Sequence, residues 1–360
     1  MSLEEYGWNE SWEEKLNDLA PKRGIPGRVI SEHRNEIGVH TDTGDISART
    51  AGKLFHKSTR RTDRPAVGDW VIVDDVDTGG NTIIHHVLPR NSTFSRRASG
   101  KSEKEQIIAA NLDTVWIVTT FDADLSPARL ERYVTLVLEN QAQPVIVIAK
   151  SDLIDDMEPI IETLRIRLPD VSIHGVSVVN ASGLQELRPY LTHGQTIALL
   201  GSSGVGKSTL INHFAGREVL HTASVREKDG KGRHTTTHRE LILLPDGGVL
   251  LDTPGMRELQ LWGTDDTLDK SFADIEVFAA QCRFSDCSHE SEPGCAVREA
   301  AINGELDENR LENFKKLRGE LKYLERRTNV RADLLERERW KSRSKEQKRY
   351  SKFTRDQGKR

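Results

Sequence analysis

The sequence predicts an α/β domain with a mostly parallel sheet, set between a small N-terminal β-barrel and a mainly helical C-terminal module. Three observations predict it. Five short β runs, separated by turn residues, fill Gly24 to about Arg90. From Asn111 to Asp252 apolar strands alternate with helices, the pattern of a parallel sheet covered on both faces. Beyond Leu306 apolar residues recur every three or four positions, as on one face of a helix.

The 360 residues suit two or three domains, and 36% hydrophobic with 30% charged residues describes a globular protein with a polar surface. No apolar run approaches the roughly 20 residues of a membrane span. The start, Met1-Ser2-Leu3-Glu4-Glu5, is acidic and lacks a basic region before an apolar stretch, so a cytoplasmic location without membrane contact is expected. Three cysteines, all within fourteen residues, argue against a disulfide scaffold and for a reducing compartment. The net charge of −4 conceals an asymmetry: Asn309–Arg360 carries 19 Lys/Arg against 8 Asp/Glu, a surplus of 11 that leaves −15 on the rest. A basic tail on an acidic body suits a polyanionic partner.

Residues 1–23 are polar with scattered aromatics (Tyr6, Trp8, Trp12) and read as a short packed helix or a mobile extension. The five β runs are Pro26–Ser31, Glu36–Thr41, Gly44–Arg49, Gly68–Asp74 and Ile83–Arg90. Their number and length suit an OB-like Greek-key barrel at 24–92. Such barrels bind RNA, and Lys53, Lys57, Arg60, Arg61 and Arg64 offer backbone contacts, unless they form only a solvated loop. The polar stretch 93–110 reads as a linker. Then come strand Val115–Phe121, helix Ala128–Gln141, strand Pro144–Ala149, helix Met157–Leu168, strand Ser172–Ser177, helix Leu184–Leu191 and strand Thr196–Leu200. Glu240–Leu244 and Gly248–Asp252 flank Pro245-Asp246-Gly247, a hairpin turn signal.

The strand Thr196–Leu200 runs into Gly201, Ser202, Ser203, Gly204, Val205, Gly206, Lys207, Ser208 and Thr209, and a helical segment follows. The pattern G-x-x-x-x-G-K-S between strand and helix is a P-loop. Its backbone N–H groups cradle phosphates, the lysine reaches the β/γ-phosphates and Ser208 binds Mg²⁺. Asp252-Thr253-Pro254-Gly255 ends a later buried strand, where an acidic residue supports Mg²⁺ and the glycine N–H faces the γ-phosphate. Between them, Gly232-Arg233-His234-Thr235-Thr236-Thr237 suits a switch loop in which Thr235 or Thr236 meets Mg²⁺.

Ala149-Lys150-Ser151-Asp152 ends the second strand and resembles the N-K-x-D motif of GTPases. There the aspartate accepts from guanine N1–H and the exocyclic amine, a donor pair adenine lacks. Ala149 stands where that motif has asparagine, which removes one polar contact to the base or the P-loop. Ser177, ending the third strand, resembles the serine motif that supports guanine. The order is base reader, serine motif, P-loop, switch and D-T-P-G, whereas ordinary GTPases place the P-loop, switch and D-T-P-G first. This is the order of a circularly permuted P-loop GTPase, a rearrangement tolerated because it opens the chain at a surface connection. Met256 occupies the place of the usual water-orienting glutamine, so slow intrinsic hydrolysis is expected, raised by a partner. His234 is the local candidate for positioning the water; capping the loop or touching a partner is the other reading.

Cys282, Cys287, His289 and Cys295, spaced C-x4-C-x-H-x5-C, complete a closed tetrahedral set for one structural Zn²⁺. The helical pattern from Leu306 to about Trp340 places Leu311, Phe314, Leu317, Leu321 and Leu324 on one face, and a strongly basic stretch follows to Arg360. That stretch suits salt-sensitive nucleic-acid binding, an acidic protein surface, or simple solvation.

Together these features resemble the RsgA (YjeQ) family, the small-subunit-dependent GTPases, from roughly Gly24 to Leu324. The resemblance implies an N-terminal extension (1–23), an RNA-binding OB-like barrel (24–92), a linker (93–110), the permuted GTPase domain (111–263), a zinc-binding module (264–310) and a basic helical tail (311–360). It implies a monomeric GTP hydrolase, using Mg²⁺, that cycles between GTP and GDP. Its expected partners are the 30S subunit and 16S rRNA during late maturation. A GTP-dependent switch acting on a non-ribosomal protein is the competing reading.

Overall fold

A computed structural model describes residues 1–21, 23–33, 36–51, 64–74, 82–97, 105–122, 124–220, 239–252, 268–269 and 271–323. The chain divides into two units, Met1–Leu261 and Trp262–Arg360.

The first unit begins with the barrel strands β1 (Ile25–His33), β2 (Glu36–Thr41), β3 (Gly44–Thr50), β4 (Trp70–Val73) and β5 (Thr82–Val87). They pair in the order β1-β2-β3-β5-β4, and β4 returns to β1 through pairs running from Ile25–Val73 to Arg28–Trp70. Only β3 and β5 run parallel. This is the closed five-stranded Greek key expected of an OB-like barrel. Val29, Val39, Val71, Val73 and Ile84 are buried in it, and Trp70 and Ile72 are buried on the other face of β4.

Residues 1–20 are helical and packed. A 3₁₀ turn, Leu3–Tyr6, precedes α1 (Glu10–Leu19), whose N-cap Asn9 accepts from the Trp12 N–H. The polar exterior of this segment hides three apolar anchors, Leu3, Tyr6 and Trp12, which are buried. Trp8 meets Trp70 edge-on at 4.8 Å, Trp12 lies 6.0 Å from the same ring, and Tyr6 stacks on His40 at 4.4 Å. Lys15 donates to the Pro89 carbonyl.

The stretch expected as a linker carries an antiparallel ribbon, β6 (Thr93–Arg97) with β7 (Glu105–Ala110). Its polar residues disguise one apolar face, on which Phe94 and Ile108 are buried.

The α/β part follows the predicted alternation. It comprises β8 (Thr114–Thr120), α2 (Pro127–Glu139), β9 (Gln143–Ala149), α3 (Glu158–Arg167), β10 (Ser172–Val176), α4 (Leu184–Leu187) with a 3₁₀ turn, β11 (Thr196–Leu200), α5 (Lys207–Ala215) and the hairpin β12 (Arg239–Leu243) with β13 (Val249–Asp252). The sheet order is β10-β9-β8-β11-β13-β12, parallel except at β12. Every residue of β8 and of β11 is buried, as strands covered on both faces require. Trp116, Val147, Leu199, Leu210 and Phe214 belong to one core cluster, with the Trp116 and Phe214 rings edge-to-face at 5.5 Å.

Barrel and sheet are one hydrogen-bonded surface. The first half of β1 closes the barrel on β4, and its second half pairs with β12 at Ser31–Glu240 and Glu32–Arg239. A register shift between Val29 and Ser31 separates the two duties, and such a bulge bends and twists its strand. Arg239 and Glu32 form an ion pair of 3.0 Å at this joint.

In the second unit, α6 (Ala273–Ala279), α7 (Ala296–Ile302) and a helix α8 whose described part is 308–323 enclose a core of Phe272, Ile275, Val297, Leu311, Phe314, Leu317 and Leu321. The predicted α8 face is the buried one; Leu324 lies outside the described residues. Arg310 grips Asp274 through two 2.7 Å bonds, tying α8 to α6, and stacks over Phe272.

Because the extension contributes core aromatics, Trp12→Ala is expected to destabilise the first unit by about 3 kcal/mol, the usual cost of truncating a buried aromatic. Denaturant unfolding monitored by fluorescence checks this, and an unchanged midpoint would show the extension to be loosely attached.

Candidate functional site

The carboxyl ends of β8, β9, β10 and β11 lie along one edge of the sheet, in parallel register through Thr120–Ala149, Val176–Ala149 and Leu200–Ile117. β8 leads outward to β9 and β10, while β11, its other neighbour, leads to β13. Strand order therefore reverses between β8 and β11, the place where α/β sheets open a crevice for a ligand.

The P-loop begins there. Gly201 has φ +152°, and a Cβ built on it would lie 2.1 Å from the Val118 carbonyl oxygen. Gly206, at φ +109°, is the N-cap of α5. Its freedom lets the chain enter the helix with the first backbone N–H groups unused by the helix itself, a ready site for phosphate. Lys207 Nζ donates to the carbonyls of Gly201 at 2.9 Å and Ser202 at 2.5 Å. The ammonium is thus folded across its own loop, and a phosphate would offer it stronger, anionic acceptors. Ser208 and Thr209 open the first turn of α5, with Ser202, Ser203 and Gly204 in the loop and Val205 buried beneath it.

The residues read as base-recognising sit beside this loop. Ala149, the last residue of β9, is buried, and a Cβ built on Gly206 would stand 3.6 Å from its methyl group. Lys150 adopts a left-handed backbone at φ +62°, a conformation that costs a non-glycine residue energy and is concentrated at functional sites. Ser151–Leu153 then form a 3₁₀ turn that carries Asp152. Ser177, which is buried, donates its hydroxyl to Asp152 Oδ1 and accepts from the Val179 N–H at 3.1 Å. The serine therefore orients the carboxylate from the neighbouring strand end.

Sequence reasoning missed Asp122, just past β8. The Thr120 hydroxyl donates to it at 2.6 Å and the Asp124 N–H at 3.0 Å. These bonds, with the charge of Lys150, hold its carboxyl below the usual range. It faces the Lys150 ammonium from the adjacent strand; an acidic residue directly after a buried strand was the available signal.

Asp252 ends β13, which runs parallel beside β11, on the side of that strand away from β8. Its side chain, and His234, Thr235, Thr236, Gly255 and Met256, lie outside the described residues, as does the basic stretch beyond residue 323.

In the second unit, the ligand atoms of Cys282, Cys287, His289 and Cys295 all fall within 4.8 Å of one another. Cys282 Sγ is 3.9 Å from Cys295 Sγ, and His289 Nδ1 is 3.7 Å and 3.5 Å from those two sulfurs. A zinc tetrahedron with metal–sulfur bonds of about 2.3 Å has edges of about 3.8 Å, so the donor set fits that ion. The cysteines form no disulfide. Burial among the other thiols pushes the Cys287 thiol up to about 11, while burial and the charge of Arg318 lower the His289 imidazole. Glu292 shapes the loop between His289 and Cys295, accepting from the N–H groups of Ser288, Glu290 and Ser291. The Ser288 hydroxyl, which also donates to it, and those N–H groups hold its carboxyl down at about 2.

The first unit thus sets a carboxylate beside a glycine-rich loop at one sheet edge, and the second unit carries a cluster of four groups that could hold a metal ion. Comparison with known proteins points the same way. Residues 87–262 match the model of the RsgA GTPase family. A small ribosomal subunit biogenesis GTPase RsgA of Opitutus terrae is 41% identical over 350 residues, 95% of each chain. A protein of the same description from Oceanobacillus iheyensis, RsgA 1, is 42% identical, covering 97% of this chain and 99% of its own. Among solved structures, YjeQ from Thermotoga maritima superposes with a TM-score of 0.62 at 30% identity, over 82% of this chain and 98% of that one. YloQ, described as a circularly permuted GTPase, gives 0.60 at 26% identity, over 84% and 96%. The fold is accordingly the permuted one that the motif order predicts, and with identities above 40% along nearly its whole length the chain belongs to the RsgA GTPase family.

Proposed function

We propose that this protein hydrolyses GTP to GDP and phosphate as a biogenesis factor of the small ribosomal subunit. The observation that carries the reading is the placement of Asp152, held by Ser177, at the same sheet edge as the Gly201–Thr209 loop, in a chain whose relatives are named for that task. In this reading the loop residues and Gly255 bind the phosphates, and Ala149, Lys150, Ser151, Asp152 and Ser177 surround the guanine. Mg²⁺ is held by Ser208, Thr235 or Thr236, and Asp252, and His234 positions the attacking water. One Zn²⁺ sits in the cysteine–histidine cluster as a structural ion, since four protein ligands leave no open position for chemistry. The barrel and the basic C-terminal stretch contact 16S rRNA of the 30S subunit, and the protein works as a monomer in the cytoplasm. No helix among the described residues is long and apolar enough to cross a membrane, which is compatible with that location.

Purified 30S subunits are expected to raise the rate of GTP turnover and to bind the protein less tightly as salt increases. No stimulation, together with no salt-dependent binding, would overturn the ribosomal role and leave a switch for another protein partner. Asp152→Asn is expected to weaken GTP binding roughly 10- to 100-fold through loss of charged hydrogen bonds. Xanthosine triphosphate, with a carbonyl in place of the exocyclic amine, should bind this variant better than GTP. Loss of ATP binding instead would mark an ATPase. Metal analysis should find one zinc per chain. Stripping it with a strong chelator should unfold the second unit, because ligand binding energy is folding energy in such small modules. Circular dichroism reads that loss, and GTP binding by the first unit should survive.

A further inference from the structure

The four donors of the cysteine–histidine cluster are not held alike. The Cys282 N–H donates to the Ala279 carbonyl at 3.1 Å, continuing the last turn of α6. The Cys287 N–H donates to the Phe284 carbonyl at 3.3 Å, and Cys295 is the N-cap of α7. The Arg283 N–H donates to the Gly294 carbonyl at 3.1 Å, which ties the stretch carrying Cys282 to the stretch carrying Cys295. Backbone bonds therefore set the neighbourhood of each cysteine. His289 lies in no helix or strand and has a left-handed backbone at φ +63°. A residue with a side chain keeps that conformation only where its surroundings over-determine it.

Glu292 is what over-determines it. Its Oε1 accepts from the Ser288 N–H at 2.9 Å and from the Ser288 hydroxyl. Its Oε2 accepts from the Glu290 N–H at 3.0 Å and from the Ser291 N–H at 3.1 Å. Among the described residues none of these three N–H groups has a backbone acceptor. The donors stand before and after His289 in the chain, so one carboxylate fixes the peptide entering the ligand and the peptide leaving it. Between those two points the imidazole is buried against the sulfurs of Cys282 and Cys295.

The task calls for a carboxylate. Four donors need two oxygens with two lone pairs each, and only an ionised carboxyl offers them; an amide has one oxygen and turns its own N–H groups toward the second pair of donors. The same count keeps Glu292 from serving as a fifth ligand, because both of its oxygens are taken. We propose that Glu292 is the positioning residue of the metal cluster, holding His289 in the backbone conformation that brings its imidazole to the sulfurs and so setting how long zinc is retained. The proposal rests on the reading of the cluster as a zinc site. Partners that orient a ligand in this way govern metal affinity by about 10- to 100-fold.

The test uses the full-length, zinc-loaded protein and follows zinc release into an excess of a coloured chelator. Glu292→Gln keeps the size of the side chain and loses one pair of acceptors, and it is expected to release zinc about 10 to 100 times faster. Ser288→Ala removes the hydroxyl alone. It should release zinc about fivefold faster, the net value of one hydrogen bond, and it serves if the first variant does not fold. Asp274→Asn loosens the Arg310 grip elsewhere in the unit and leaves the loop alone. It should lower the unfolding midpoint and release zinc at the native rate. Cobalt(II) in place of zinc gives a spectroscopic reading, since its visible bands follow the ligand field; they should shift in Glu292→Gln and stay fixed in Asp274→Asn. Release from Glu292→Gln at the native rate would overturn the proposal, and so would an acceleration matched by Asp274→Asn. A native protein that holds no zinc would instead overturn the zinc reading itself, and the proposal with it.

Discussion

The Val118 carbonyl oxygen and the backbone of residue 201 approach so closely that a Cβ between them would sit at 2.1 Å. That contact draws the end of β11 against β8, at the one place in the parallel sheet where strand order reverses. Everything nucleotide-directed is arranged from it. The loop leaving Gly201 turns through Gly206 into α5, which aims a helix N-terminus at the crevice. The end of β9 comes within van der Waals reach of that turn through Ala149. Asp152 follows directly from that strand end, with Ser177 fixing its direction.

The permuted chain order leaves these contacts intact, since a parallel pair is indifferent to which of its strands is made first. It does create an edge. β12 is antiparallel to β13 and would end the sheet with a row of unpaired backbone groups. Here β1 covers part of that edge, at Ser31 and Glu32, before the same strand closes the barrel. The barrel is therefore joined to the sheet by backbone hydrogen bonds as well as by the chain. The Arg239–Glu32 ion pair lies at the first described residue after the predicted switch segment. A displacement of β12 would act on β1 directly, through main-chain bonds that do not stretch.

What could be read in advance follows the range of the interactions involved. The alternation of strands and helices is local, and so are the glycine loop between β11 and α5 and the α8 face. The zinc-type cluster was legible because all four donors fall within fourteen residues. The packing of residues 1–20 was not legible, because the partner of Trp8 and Trp12 is Trp70, some sixty positions away. The ribbon of Phe94 and Ile108 reads as a linker because β6 is mostly polar and the apolar run Ile107–Ala110 of β7 shows no alternation. β1 looks like an ordinary barrel strand, and nothing nearby in sequence announces that half of it belongs to another part of the sheet. A cavity beside Arg28 is the extreme case, since its walls come from five separated stretches of chain.

The second unit shows the opposite economy, in which a few local groups stand in for a large core. α6 and α7 have seven residues each, well below the length at which an isolated helix is stable in water. They are held by Phe272, Phe314 and the Arg310–Asp274 grip on one side, and by the ligand cluster on the other. Cys295 is the N-cap of α7 and Cys282 follows α6, so a metal bonded to both ties the helix ends together. Its surroundings push the Cys287 thiol up to about 11, and a divalent ion held by the four donors would displace that proton and turn the same crowding into coordination. The geometry already present, with edges near those of a zinc tetrahedron, is the geometry in which that exchange requires the least movement.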